Sequence, residues 1–124
     1  IEYDIPCIWV VWNNFAWSAI RDIQYGMFGG REIGTGFYRG DNQEPYNPDF
    51  AAVARAHGVN GVTCRKSSEF QSALETAIND NKPWLIDLHV DAEVKPPGIG
   101  AWQIPPLPYK EPIFGKRYVP EEVD

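Results

Sequence analysis

Apolar positions run almost without a break from Ile5 to Trp12 and stop at two carboxamides, Asn13 and Asn14. Because Ile8 to Trp12 is continuously apolar and does not alternate, it predicts a strand buried on both faces, inside a parallel sheet. Residues 16–25 predict a short helix with Ile20 and Ile23 inward. Residues 25–46 carry six glycines, which predicts a long loop, and long ordered loops in compact domains are often functional. Asn47-Pro48-Asp49 then announces a helix, with Asn47 as cap, Pro48 at the first helical position and an acid in the first turn. Phe50, Val53 and Ala54 would share its inward face, and Gly58 would end it. A short strand is predicted over 59–64. Ser67 and Ser68 predict the cap of a second helix, with Gln71 completing a capping box from Ser68. Phe70, Ala73, Leu74, Ala77 and Ile78 are its apolar stripe. Asn79 to Pro83 reads as a turn into a final strand from Trp84 to Val90.

Strand, loop, helix, strand, helix, strand is the order of an α/β layer with parallel strands and right-handed crossovers. Three strands are few for a free-standing doubly wound fold, and the chain does not begin with Met. The expectation is therefore a cut N-terminal edge with further sheet upstream. From Ala92 onward the pattern changes: seven of the eleven prolines lie between Pro96 and Pro120. Such a segment is neither regular helix nor central strand. Its aromatics (Trp102, Tyr109, Phe114, Tyr118) favour a tail packed along the domain surface over a disordered linker.

Composition narrows the function classes. The chain has 124 residues, 44% of them hydrophobic, within the usual span of one domain. A net charge of −6, with scattered basic residues, argues against a nucleic-acid surface. The longest apolar run is far too short to span a bilayer, and no secretory signal pattern opens the chain. Cys7 and Cys64 sit in apolar or β-branched surroundings without a CxxC spacing, which predicts two reduced, buried thiols in an intracellular protein. Two histidines give no zinc pattern.

The chemistry concentrates at Asn13 and Asn14. In open α/β sheets, ligands bind beyond the carboxyl ends of strands. A carboxamide oxygen there suits a hard cation such as Mg²⁺, although an Asn pair in this position also serves as a turn or helix cap.

The stretch "EYDIPCIWVVWNNFAWSAIRDIQ" resembles the second half of the thiamine-diphosphate motif of the acetohydroxyacid synthase, pyruvate oxidase and 2-oxoacid decarboxylase family, in which a GDG triplet is followed by NN at the end of an apolar strand. "NPDFAAVARAHGVNGVTCRKSSEFQSALETAINDNKPWLIDLHVD" resembles the remainder of the same domain, in the same element order. The resemblance covers about residues 1–91 and implies a doubly wound α/β thiamine-diphosphate-binding fold, truncated at its N-terminus. Residues 1–91 would be the C-terminal part of the pyrophosphate-binding domain and 92–124 the Pro-rich tail. The tail itself matches no substrate pattern; it is expected to cross the domain surface near an active-site entrance.

The resemblance also implies roles. Asn14 would give its side-chain oxygen to Mg²⁺ and Ala16 its backbone carbonyl, while Asn13 holds the turn. Trp17 and Ser18 would follow the metal loop along the thiamine diphosphate, and Ala19 and Ile20 would line the substrate pocket. The GDG aspartate is not in this chain, since only thirteen residues precede Asn14. Gly40-Asp41-Asn42 comes after the pair and is no substitute. The family's catalytic glutamate belongs to another domain, so no catalytic residue is expected here, and Glu32 and Glu44 read as solvated loop residues. The implied whole is a cytoplasmic homodimer or homotetramer acting on 2-oxo acids, with FAD possible in an absent middle domain. This chain alone would be inactive and would need the remaining N-terminal portion of the enzyme as its partner. "IRDIQ" with its glycine-rich continuation favours a carboligase over a simple decarboxylase or lyase. A non-catalytic α/β interaction module is the reading of another class, in which the Asn pair is only a cap.

Overall fold

The computed structural model describes residue 3 and residues 5–94. Apart from its first residues, the predicted surface-packed tail lies outside the described residues. The described chain forms two compact units, one from residues 5–13 and 48–90, the other from 14–47 and 91–94.

The first unit is a parallel α/β layer. Its strands are β1 (Ile8–Asn13), β4 (Asn60–Cys64) and β5 (Trp84–His89), and its helices are α2 (Phe50–Ala56) and α3 (Ser67–Asp80). The second unit holds α1 (Ser18–Met27) and a small antiparallel hairpin of β2 (Tyr38–Arg39) and β3 (Glu44–Pro45). The predicted 25–46 loop is thus partly ordered by backbone pairing.

Strand order is β1-β5-β4, all parallel, so the last strand in sequence is central. Ile86 and Leu88 of β5 project to one face and join Cys64 in the buried core, with Ile8, Val62, Phe70, Ala73, Leu74 and Val90 packed around them. Period-2 alternation sends Asp87 to the opposite face. The predicted burial of the first strand does not hold among the described residues. β1 is an edge strand, and Trp9 and Trp12 are 46% and 67% exposed. A strand is sealed when it has a neighbour on each side, and here β5 has two while β1 has one.

The helix boundaries follow local chemistry with some shifts. Asp49, not Asn47, caps α2: its side chain accepts the Ala52 N–H at 2.7 Å. Ala51 and Ala54 form the buried face and Val53 is exposed, because α2 lies very close to β4 and only small side chains fit between them. Gly61 makes that approach possible, since a Cβ there would collide with the Ala51 carbonyl. Arg55 Nη1 also donates to the Gly61 carbonyl at 2.8 Å. Gly58 ends α2 as predicted. At φ +75 it closes a Schellman motif, with Gly58 N–H to the Arg55 carbonyl and Val59 N–H to the Ala54 carbonyl, both at 3.0 Å.

α3 begins at Ser67, but neither serine caps it, and Gln71 bonds forward to Glu75 instead of completing a box. Glu69 takes the capping work by accepting the Arg65 N–H at 2.7 Å. Phe70, Ala73, Leu74 and Ala77 face inward as predicted, whereas Ile78 is exposed. Asp80, at the end of α3, accepts from Asn60 at 3.0 Å and from the Trp84 indole at 2.9 Å, tying the helix to the starts of β4 and β5. Both cysteines are free; Cys64 is buried, but Cys7 is only half-buried. No helix among the described residues is long and apolar enough to cross a membrane.

Candidate functional site

Asn13 is the last residue of β1, and the boundary between the two units falls between it and Asn14. On the first unit, Asn13 is 3% exposed and donates from Nδ2 to Asp87 Oδ1 at 2.9 Å. Its carbonyl accepts the Val90 N–H at 2.9 Å. Asn13 therefore fastens the strand end to β5. Asp87 is 1% exposed, and its Oδ2 lies 3.4 Å from His89 Nε2. Burial pushes the His89 pKa down, Asp87 opposes that, and the positive charge of Arg65 adds to the lowering.

On the second unit, Asn14 is held at both ends of its carboxamide. Its Nδ2 donates to Ser18 Oγ at 2.7 Å, and its Oδ1 accepts the Ala16 N–H at 3.3 Å. The intervening Phe15 takes the left-handed conformation at φ 56, which a non-glycine residue adopts only at an energetic cost. The result is an Asx turn immediately before α1. Ala16 forms an isolated antiparallel bridge with Gly36. The two hydrogen bonds of that bridge run through its neighbours, Trp17 N–H to the Thr35 carbonyl at 2.7 Å and Phe37 N–H to the Phe15 carbonyl at 2.9 Å. They leave the Ala16 carbonyl out of the pairing.

These donors fit a hard cation in part. A carboxamide oxygen has two lone pairs and the Asx turn uses one of them. Asn14 Oδ1 and the Ala16 carbonyl are both neutral oxygens, the type Mg²⁺ takes beside anionic ones. No group of three His, Cys, Asp or Glu side chains among the described residues could hold a metal unaided.

The remaining sequence-predicted residues lie along the start of α1. Trp17 is 62% exposed, Ala19 and Ile20 are also exposed, and Ser18 is half-buried. Of the two isoleucines predicted to turn inward, Ile23 is half-buried but Ile20 is exposed, and the buried residue of α1 is Arg21. Arg21 is 6% exposed and pairs with Glu32 (3.4 Å) and Glu93, with its guanidinium 4.9 Å from the centre of the Tyr25 ring. Burial works to lower the Arg21 pKa, but Tyr25 and Glu93 outweigh it, so the guanidinium stays charged. Gln24 pins the following loop: its Oε1 accepts from Ile33 N–H and Thr35 Oγ1, and its Nε2 donates to the Ile33 carbonyl.

Glu32, read from the sequence as solvated, is buried and accepts from the Tyr25 hydroxyl at 2.8 Å. A loop carboxylate goes inside when an arginine on the neighbouring helix pairs with it. Glu44 is exposed as predicted, and Asp41 sits exposed in the hairpin turn.

Sequence reasoning passed over Asp87 and His89. Their signal was the alternation of Asp87 and His89 in an otherwise apolar strand, which puts both on one face. Arg21 carried no such signal. An open groove of about 470 Å³, lined by Arg55, Asn60, Gly61 and Trp84 among others, lies at the amino ends of β4 and β5. Ligands of open parallel sheets bind at the other end, so the groove is not the candidate site.

Residues 1–88 match the family described as thiamine pyrophosphate enzyme, C-terminal TPP binding domain. The chain is 27% identical over 101 residues to a probable acetolactate synthase large subunit of Methanococcus aeolicus, covering 78% of this chain and 16% of that protein. Identity to the probable acetolactate synthase large subunit of Methanocaldococcus jannaschii is 29% over 96 residues, or 77% of this chain and 15% of the relative. A sulfoacetaldehyde acetyltransferase of Castellaniella defragrans is 30% identical over 101 residues, 78% of this chain and 16% of that enzyme. The chain thus spans only a small part of the length of these relatives.

Proposed function

The chain belongs to the thiamine pyrophosphate enzymes through their C-terminal TPP-binding domain, and we propose that it supplies the metal-and-diphosphate loop of an acetolactate-synthase-like carboligase. The observation that carries this reading is the two-ended hold on the Asn14 carboxamide beside an Ala16 carbonyl left out of backbone pairing.

In this reading Asn14 Oδ1 and the Ala16 carbonyl would hold Mg²⁺, whose positive charge would offset the cofactor's diphosphate on an acidic protein. Trp17 and Ser18 flank the cofactor, and exposed Ala19 and Ile20 face the substrate. Thiamine diphosphate, when bound, supplies the carbanion chemistry, and the protein contributes binding and orientation. The substrate class is 2-oxo acids and the outcome is carbon–carbon bond formation after decarboxylation. The catalytic acid and the aspartate that completes the metal site come from other parts of the polypeptide, so this chain alone is inactive. The enzyme is a cytoplasmic homodimer or homotetramer, and any FAD sits in another domain. The relatives' printed names, two acetolactate synthase large subunits and an acetyltransferase, favour carboligation over simple decarboxylation.

The test is made on the natural full-length protein. Asn14→Ala should abolish Mg²⁺-dependent binding of thiamine diphosphate, and unchanged affinity would refute the assigned ligand. Product analysis with pyruvate then separates the chemistries: an acyloin or 2-hydroxy-2-acyl acid supports the carboligase, whereas aldehyde alone assigns the decarboxylase or lyase. No cofactor binding by the unmodified protein would leave the interaction-module reading in its place.

A further inference from the structure

We propose that Ser18 is a positioning residue for the metal loop, acting through Asn14. The inference rests on the reading of Asn14 as a Mg²⁺ ligand and extends it to a side chain that needs no contact with the metal.

A carboxamide is nearly symmetric in shape but has a donor end and an acceptor end, and only the acceptor end binds a cation. Something must fix which end faces the loop. The Asx turn alone holds the oxygen weakly, since the Ala16 N–H lies at 3.3 Å, the long end of the range for such bonds. The contact with Ser18 is shorter, at 2.7 Å, and it engages the opposite end of the group. The hydroxyl oxygen accepts from Nδ2 while the Ala16 N–H, which can only donate, selects the oxygen end, so Ser18 fixes the place and plane of the carboxamide that the Asx turn orients.

Ser18 is well placed for this work. It is the first residue of α1, four positions after Asn14, so its hydroxyl reaches back to the carboxamide from the start of the helix. It is half-buried, so water competes less for the bond than at an exposed site. Its position on a ten-residue helix, whose inward face is fixed by Arg21 and Gln24, gives the hydroxyl a fixed origin. Partners that orient a metal ligand typically contribute 10–100-fold in metal affinity.

The experiment uses the natural full-length protein as wild type and as Asn14→Ala, Ser18→Ala, Ser18→Gly and Ser18→Thr. Mg²⁺ is titrated at saturating thiamine diphosphate with tryptophan fluorescence as the readout, and the thermal midpoint of each metal-free protein is recorded. Ser18→Ala and Ser18→Gly should raise the half-saturating Mg²⁺ concentration roughly tenfold or more. The metal-free midpoint of Ser18→Ala should stay at the wild-type value, and Ser18→Thr, which keeps the hydroxyl, should restore the affinity. If Asn14→Ala loses Mg²⁺ binding while Ser18→Ala and Ser18→Gly keep wild-type affinity, the positioning role is overturned and the ligand assignment stands. If Ser18→Ala lowers the metal-free midpoint along with the affinity and Ser18→Thr does not rescue, Ser18 is structural only and the proposal fails. Unchanged binding in Asn14→Ala removes the ligand assignment and the inference together.

Discussion

Asn13 and Asp87, 74 positions apart in sequence, share a 2.9 Å hydrogen bond almost sealed from water. The carboxylate is an acceptor, so it takes the amide end of Asn13 and sets the orientation of that side chain. The bond joins the end of an edge strand to the centre of the sheet, where β1 and β5 already pair in parallel from Ile8 with Trp84 to Asn13 with His89. Asp87→Ala should destabilise the protein by about 1–3 kcal/mol, because a buried amide is left without its acceptor. Asp87→Asn, which can still offer a carbonyl oxygen, should cost less. Urea denaturation followed by tryptophan fluorescence distinguishes the two, and equal stability of Asp87→Ala and wild type would count against the anchoring role.

His89 makes stability depend on pH. Its pKa in the folded protein is held below the ordinary value of 6.5, mainly by burial, with Arg65 adding to the effect and Asp87 and Asp49 opposing it. The folded state therefore binds fewer protons than the unfolded chain near and below that value, and stability rises with pH. The contribution is complete above 6.5, and it is lost as the pH falls from there through the folded pKa. Thermal midpoints measured from neutral to mildly acid pH should fall more steeply in wild type than in His89→Gln. Parallel curves would sink this assignment.

At Gly61 the backbone of α2 lies directly against β4. An added Cβ has to displace the Ala51 backbone carbonyl, which is not the flexible end of a side chain. Gly61→Ala should cost about 1–3 kcal/mol by overpacking, despite the better intrinsic strand and helix preferences of alanine. Gly58→Ala, strained by its φ of +75 but with open space around it, provides the comparison. A Gly61→Ala protein as stable as wild type would show that the helix can move away from the strand.

Arg21 and Glu32 are both buried, and Glu32 without Arg21 is left as a buried carboxylate that has lost its counter-charge. Arg21→Met should destabilise by about 3–5 kcal/mol, and the pair Arg21→Met with Glu32→Leu should recover much of that loss. A double-mutant cycle by denaturant titration measures the coupling. Strictly additive effects would mean that Arg21 relies on Glu93 and Tyr25 alone.

The elements themselves were legible. The apolar run ending at Asn13, the stop at Gly58, the stripe of α3 and the final strand at Trp84 all follow from local spacing, and the structure has them within a few residues. The Asn pair was legible as a special end of a strand. Less legible were the caps, where Asp49 and Glu69 act in place of Asn47 and Ser68, because several polar side chains near each helix start can accept an N–H and the exact first residue decides which one does. The face of α1 was misread in part because Ile20 and Ile23 have the spacing of a buried stripe, yet Arg21, Gln24 and Tyr25 share a similar spacing and have partners.

Sequence alone determined the type and order of the elements, the parallel character of the sheet and the placement of two carboxamides at a strand end. These depend on periodicity and on turn chemistry, which act over a few residues. Tertiary structure decided that, among the described residues, β5 is central and β1 an edge, that Glu32 is buried, and that Asp87 and Ser18 hold the two asparagines. The reason is physical: a polar side chain can be buried only where a partner meets it. For Asn13 and Asp87 the partner lies across the sheet, and for Arg21 it lies on a loop whose path no local pattern specifies.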